Sequence, residues 1–148
     1  MRQPAYGYTV RTTSDDPRFR ALTARLDDEL SAIYGEVQKS YHGYNQFSCD
    51  TVIVLDGACG CFKRFDDATA ELKRMYVVPE QRRHGLASQV VAACEAWAKE
   101  LGFQAMILET GNLQHAAIAL YQRRGYAITE PFGVYAHMPA SVCMRKSI

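Results

Sequence analysis

Hydrophobic positions along this chain switch repeatedly between two periods. Tyr6, Tyr8 and Val10 alternate with their neighbours, which predicts a first strand over residues 6–12. Phe19, Leu22, Leu26, Leu30 and Ile33 then recur at three- and four-residue spacing, a core-facing helical stripe that ends near Tyr34. Ser14 or Asp15 is placed to cap this helix, with Pro17 in its first turn. From Gly35 to Phe47 the period is lost, and the stretch is polar and aromatic at once, a loop with room for a short helix. Thr51 to Leu55 and Cys59 to Phe65 read as two strands joined at Asp56-Gly57, a strong hairpin signal.

Past the turn Asp66-Asp67-Ala68, Glu71 to Val78 reads as the central strand. A helix over 86–101 carries Leu86, Val90, Cys94, Trp97 and Leu101 along one side and stops at Gly102. Gln104 to Glu109 is a strand of the buried type, and Gln114 to Arg124 a helix closed by Gly125. Tyr126 to Thr129 and Ser141 to Arg145 are late strands. The strand-helix-strand-helix centre predicts an α/β fold, a central mixed sheet with helices on both faces. No repeat, low-complexity tract or linker interrupts residues 1–148, so a single domain is expected.

Composition narrows the function classes. Apolar residues make up 48% of the chain and the net charge is +1, so neither a disordered chain nor a broad nucleic-acid or membrane footprint is expected. No apolar run approaches the ~20 residues of a membrane helix, and the N-terminus lacks the apolar segment of a signal peptide. Five scattered cysteines, an odd number, favour reduced thiols and a cytoplasmic setting. Cys59 and Cys61 alternate on one strand face with no second pair to complete a zinc site, and no histidine has metal-ligand spacing, so no metal is expected.

The chemistry concentrates in residues 71–87. A strand ending Val77-x-Pro79 runs into the basic turn Arg82-Arg83-His84, and Gly85 and Ala87 stand at the entrance of the next helix. Small residues let backbone N–H groups approach a bound group closely, and a helix N-terminus adds unpaired donors and a positive dipole end. Together they suit a pyrophosphate. The turn carries neither the Gly-Lys-Ser/Thr of a P-loop nor Gly-x-Gly-x-x-Gly.

The order Val77-x-Pro79, Arg82-x-x-Gly85-x-Ala87, then Ala117-Ile118-x-Leu120-Tyr121-x-x-x-Gly125-Tyr126 resembles the GCN5-related N-acetyltransferase (GNAT) superfamily. The motifs cover about residues 70–130. The resemblance implies an enzyme using acetyl-CoA. It sets the thioester beside Met75, Tyr76 and Val77, and the pyrophosphate on Arg82, Arg83, His84, Gly85, Leu86, Ala87 and Ser88. Related sequences often place Asn where this chain has Gln114, which keeps the amide with a longer reach. Tyr121 matches the family tyrosine aimed at the coenzyme sulfur, and a phenol of pKa ~10 suits protonating a departing thiolate. Arg123 and Arg124 are candidates for a 3′-phosphate contact or for a helix C-terminus.

Transfer to an amine needs a base, because an alkylammonium has a pKa near ~10. The resemblance implies Glu71, which lies at the start of its strand where some of these enzymes carry a catalytic or water-linked base and shares a face with Lys73, Met75 and Val77, as one candidate; Glu109, ending the next strand, is its rival. Aromatic residues with polar tips suit a half-buried ligand site. Tyr34, Glu36, Tyr41 and Tyr44, with Tyr135 from the segment 130–139, are therefore candidates for the acceptor pocket. The leading expectation is direct acetyl transfer to a primary amine of a small molecule. A peptide or protein N-acetyltransferase and a non-catalytic acyl-CoA sensor are the alternatives, and a homodimer is compatible with the family.

Overall fold

The computed structural model describes residues 8–38 and 47–148. Its strands are β1 Val10–Thr12, β2 Val52–Leu55, β3 Ala58–Arg64, β4 Thr69–Val77, β5 Ala105–Gly111, β6 Ala127–Thr129 and β7 Ser141–Ser147. Its helices are α1 Pro17–Tyr34, α2 Leu86–Glu100 and α3 His115–Arg123. The strands hydrogen-bond in the order β1-β2-β3-β4-β5-β7-β6. β4 and β5 are parallel while β1–β2, β2–β3, β5–β7 and β6–β7 are antiparallel, the mixed sheet of an α/β fold. The chain divides into two compact units, one of Met1–Phe62 with Lys73–Cys94 and one of Lys63–Leu72 with Glu95–Ile148.

In the first unit, Phe19 and Leu22 of α1 close over Val52, Val54, Cys59, Cys61, Tyr76 and Val78, with Leu26 and Phe47 at the margin. Each such apolar side chain removed from water contributes about 1.5–3 kcal/mol. The opposite face of the same strands packs on α2: a Cβ on Gly60 would meet Met75 and Val90 at under 3 Å, so only glycine lets that helix sit so close. Helices therefore cover both faces of this unit's strands. The hairpin Asp56-Gly57 joins β2 to β3 in the register Leu55↔Ala58, as the dipeptide signalled. Cys59 and Cys61 lie in the core as free thiols.

Several local expectations are corrected. The first strand spans Val10–Thr12 among the described residues, Tyr8 is exposed, and Tyr6 lies outside the described residues. Asp16, not Ser14 or Asp15, caps α1, its carboxylate accepting from the Arg18 N–H at 2.9 Å with Pro17 at the first helical position. The stripe fades toward the end of α1, where Ile33 is 42% exposed. Leu101, 53% exposed, lies past the end of α2, which Gly102 turns away at φ 97°.

The main correction concerns β4. It begins at Thr69, so Glu71 is its third residue and is buried, 5% exposed. Arg74 has φ 57° in mid-strand, a left-handed backbone that marks a bulge. Lys73 lies with its ammonium over Phe47, and Arg74 reaches α1, so both turn to the same side. The extra residue breaks the alternation: Tyr76 and Val78 pack with α1, and Met75 packs against Gly60 and Val90. Glu71 thus shares a strand face with Lys73 but not with Met75 or Val77.

In the second unit, β4 and β5 pair from Thr69↔Ala105 to Leu72↔Leu108, and β5 pairs along its whole length with β7. Buried Met106, Leu108, Ile107 and Met144 form the apolar centre of these strands. α3 ends at Arg123, and past it Gly125, φ 97°, turns the chain so that the Tyr126 N–H returns to the Tyr121 carbonyl at 2.9 Å.

Candidate functional site

Two clusters carry the chemistry, one in each unit. In the first, β4 ends at Val77 and a short 3-10 turn, Pro79–Gln81, leads into residues 82–85. Arg83 at φ 67° and Gly85 at φ 76° are both left-handed, so the loop curls. Open space surrounds the position a Gly85 side chain would take. The first α2 hydrogen bond is the Gln89 N–H to the Gly85 carbonyl, which leaves Leu86 and Ala87 N–H groups without acceptors inside the helix. Successive N–H groups in such a curl, next to a helix N-terminus, form a concave anion seat.

The basic side chains of this turn are not equivalent. Arg82 is clamped: its Nε donates to the Val77 carbonyl at 2.9 Å, its Nη2 pairs with Glu29 of α1 at 2.7 Å, and its guanidinium lies 5.6 Å from the Tyr76 ring centroid. Arg82 therefore fixes the turn onto the end of β4 and onto α1. Arg83 and His84 are exposed. Leu86 is buried and anchors the helix start, with Ala87 and Ser88 half-buried beside it. Met75 and Val77 are half-buried and Tyr76 is buried. Arg74, which the sequence reading overlooked, holds the bulge by donating to the Thr23 carbonyl at 3.1 Å and pairing with Asp27 at 2.9 Å. Nothing in the local sequence marks it, because an arginine in an apolar-alternating strand reads as an outward position.

The second cluster follows from sheet register. Glu71 pairs with Ile107, which pairs with Arg145; Glu109, two residues on, pairs with Cys143. Side chains two apart on a strand share a face, so Glu71, Glu109, Cys143 and Arg145 lie on one side of these three strands. Tyr135, 4% exposed and carried by the 3-10 segment Gly133–His137, directs its hydroxyl to Glu71 Oε2 at 3.4 Å. Burial pushes the Tyr135 phenol up, and the negative charges of Glu71 and Glu109 push it further, so it stays protonated. Burial likewise raises the Cys143 thiol, reinforced by Glu109 and Glu71. Edge-to-face contacts fix Tyr135: its ring centroid lies 5.7 Å from that of Phe132, which lies 5.4 Å from Phe65.

The remaining candidates fall as follows. Tyr121 is buried on α3, its ring edge-on to Tyr126 at 5.8 Å. Gln114 stands at the N-cap of α3 without a side-chain capping bond. Arg124 is bound to Glu95 at 2.9 Å, a structural partner. Tyr34 ends α1 half-buried and Glu36 is exposed on the following 3-10 turn, while Tyr41 and Tyr44 lie outside the described residues. Sheet register sets Glu71 and Glu109 on one face and the Tyr135 hydroxyl reaches Glu71, a link that could not be read from residues 64 positions apart. Among the described residues no helix is long and apolar enough to cross a membrane.

Comparison with known proteins gives the family and the fold. The profile described as Acetyltransferase (GNAT) family matches residues 16–126. An IAA acetyltransferase of Azospirillum brasilense is 38% identical over 78 residues, 53% of this chain and 51% of that protein, so the chain spans about half the length of that relative. A crystal structure from Klebsiella pneumoniae subsp. pneumoniae MGH 78578, named for a suspected acyl-CoA N-acyltransferase activity, superposes with TM-score 0.77 at 29% identity, covering 95% of this chain and 96% of that one. A GNAT family acetyltransferase of Elizabethkingia anophelis, crystallised with acetyl-CoA bound, shares the fold at TM-score 0.57 and 17% identity over 77% of this chain and 83% of that one. The match over most of its length establishes that this chain belongs to the Acetyltransferase (GNAT) family.

Proposed function

We propose that this protein is an acetyl-CoA-dependent N-acetyltransferase that passes the acetyl group directly to a primary amine of a small molecule, as a single domain working in the cytoplasm. The observation that carries the reading is the left-handed pair Arg83 and Gly85 at the entrance of α2. That curl, with the Leu86 and Ala87 N–H groups and the exposed Arg83 and His84, fits a pyrophosphate. Bound acetyl-CoA supplies an activated acetyl group as its thioester.

The chain's own residues do the rest. Backbone groups of Met75, Tyr76 and Val77, past the bulge, offer donors and acceptors to an extended pantetheine arm. Glu71 takes the proton from the acceptor ammonium, with Glu109 adding negative charge that favours a cation beside it. Tyr121 holds a proton on its hydroxyl for the departing sulfur. A homodimer is part of this reading on family grounds.

Free CoA release, followed by chromatography against a panel of small amines, amino acids and peptides, tests it. Release with small primary amines supports the proposal. Release only with peptides overturns the small-molecule acceptor, and coenzyme binding without release to any acceptor overturns the enzyme.

A further inference from the structure

Tyr135 belongs to none of the groups that take or give a proton in this reading, yet its hydroxyl lies 3.4 Å from Glu71 Oε2. We infer that Tyr135 is a positioning residue: its hydroxyl donates to Glu71 Oε2 and so fixes the orientation and protonation of the carboxylate that receives the ammonium proton. The inference rests on Glu71 acting as the base.

Four observations converge on it. Both partners are nearly sealed, Glu71 at 5% and Tyr135 at 4% exposure, so a donor to the carboxylate has weight that it lacks in water. The tyrosine ring is itself immobilised by Phe132, and Phe132 by Phe65. Gly133, at φ 54°, gives the chain the left-handed turn that starts the segment, with Phe65 lying 3.7 Å from where its Cβ would be. Finally, the phenol stays neutral beside two carboxylates, so toward them its hydroxyl donates.

The contact is long, 3.4 Å against about 2.7 Å for a strong O–H···O bond. A loosely held oxygen can turn to an incoming ammonium while the hydroxyl still restrains the carboxylate, and such bonds tighten once substrate is present. Among the described residues, strand register sets Glu109 of β5 and Cys143 and Arg145 of β7 on the face of Glu71, with Lys73 two residues along β4.

Tyr135→Phe removes the hydroxyl and keeps the ring packing. In protein carrying 13C-labelled glutamate carboxyls, the resonance absent from Glu71→Gln identifies Glu71. Loss of a donor to the ionised form moves its titration midpoint upward by roughly 0.5–1 pH unit. The acidic limb of kcat/KM for acetyl transfer moves by the same amount, and adding Tyr135→Phe to Glu71→Gln causes no further loss. An unmoved midpoint, or a further loss in the double variant, overturns the inference while leaving Glu71 as base. Wild-type turnover by Glu71→Gln instead overturns the base assignment, and the positioning role with it, even if the midpoint moves.

Discussion

Two buried glutamates in the second unit meet their surroundings in different ways. Glu95, 8% exposed on α2, receives Lys146 at 3.0 Å, Arg124 at 2.9 Å and the Tyr126 hydroxyl at 2.9 Å, so two cations and a donor answer one carboxylate. Glu71, just as buried, lies at 3.4 Å from a phenol and shares its strand face with the carboxylate of Glu109. A buried charge costs several kcal/mol of desolvation, and close, well-formed pairing is what offsets it. At Glu95 short bonds to opposite charges tie α2 to the end of α3 and to β7. At Glu71 the phenol contact is long and Glu109 lies on the same strand face, an arrangement that suits a group that must exchange a proton.

The sharpest way to break this contrast is to neutralise each carboxylate in turn. Glu71→Gln should lower kcat for acetyl transfer by about 10²–10⁴-fold, the usual share of a general base, with a thermal midpoint close to wild type. Glu95→Gln should do the reverse. It leaves Arg124 and Lys146 facing a neutral amide, each about a quarter exposed, and should cost about 2–3 kcal/mol in denaturant unfolding, with turnover per folded molecule retained. If Glu95→Gln instead abolishes turnover in folded protein, the division between brace and chemistry fails.

A smaller effect separates turn geometry from helix ends in general. Gly85→Val puts a branched side chain at φ 76° into the open space over the α2 entrance, and should weaken acetyl-CoA binding about tenfold or more by calorimetry. Gly102→Val is the matched control. Its φ is 97° and its surroundings are equally open, but it closes α2 at the other end. It should carry a similar folding cost of about 1–2 kcal/mol with unchanged coenzyme affinity.

How much of this was legible depends on whether the determinant is local. The turn at residues 82–87 was readable because glycine, arginine and a helix start within six residues leave few backbone solutions. The same locality made the Asp56-Gly57 hairpin and the stops at Gly102 and Gly125 readable. The Arg74 bulge was not, since the partner its side chain reaches, Asp27, lies 47 positions earlier. Its consequence, the reversed faces of Met75 and Val77, was missed with it. Glu71 and Glu109 were both identified as candidates, but register alone brings them to one face, and register is set by β5 and β7 together. Tyr135 was singled out for the acceptor pocket from composition, and its contact with Glu71 exists only in three dimensions.

The smallest expected effect concerns a third carboxylate that is neither buried brace nor base. Asp16 caps α1, and its titration is held well below the usual carboxylate range chiefly by the Arg18 side chain, bonded at 2.7 Å, then by the Arg18 N–H and the Thr12 hydroxyl at 3.0 Å. A carboxyl depressed in the folded state adds stability that is complete above its unfolded pKa of ~3.9 and is lost as pH falls through the folded value. Asp16→Ala should therefore cost about 1 kcal/mol at neutral pH, the usual worth of an N-cap. The gap between wild type and variant should hold down to about pH 4 and then close on further acidification, read from urea unfolding at each pH. A gap constant from pH 7 to pH 2 would mean that the side chain acts through shape and neutral hydrogen bonding rather than charge. Asp16 would then stand apart from Glu95, where the cations themselves answer the carboxylate.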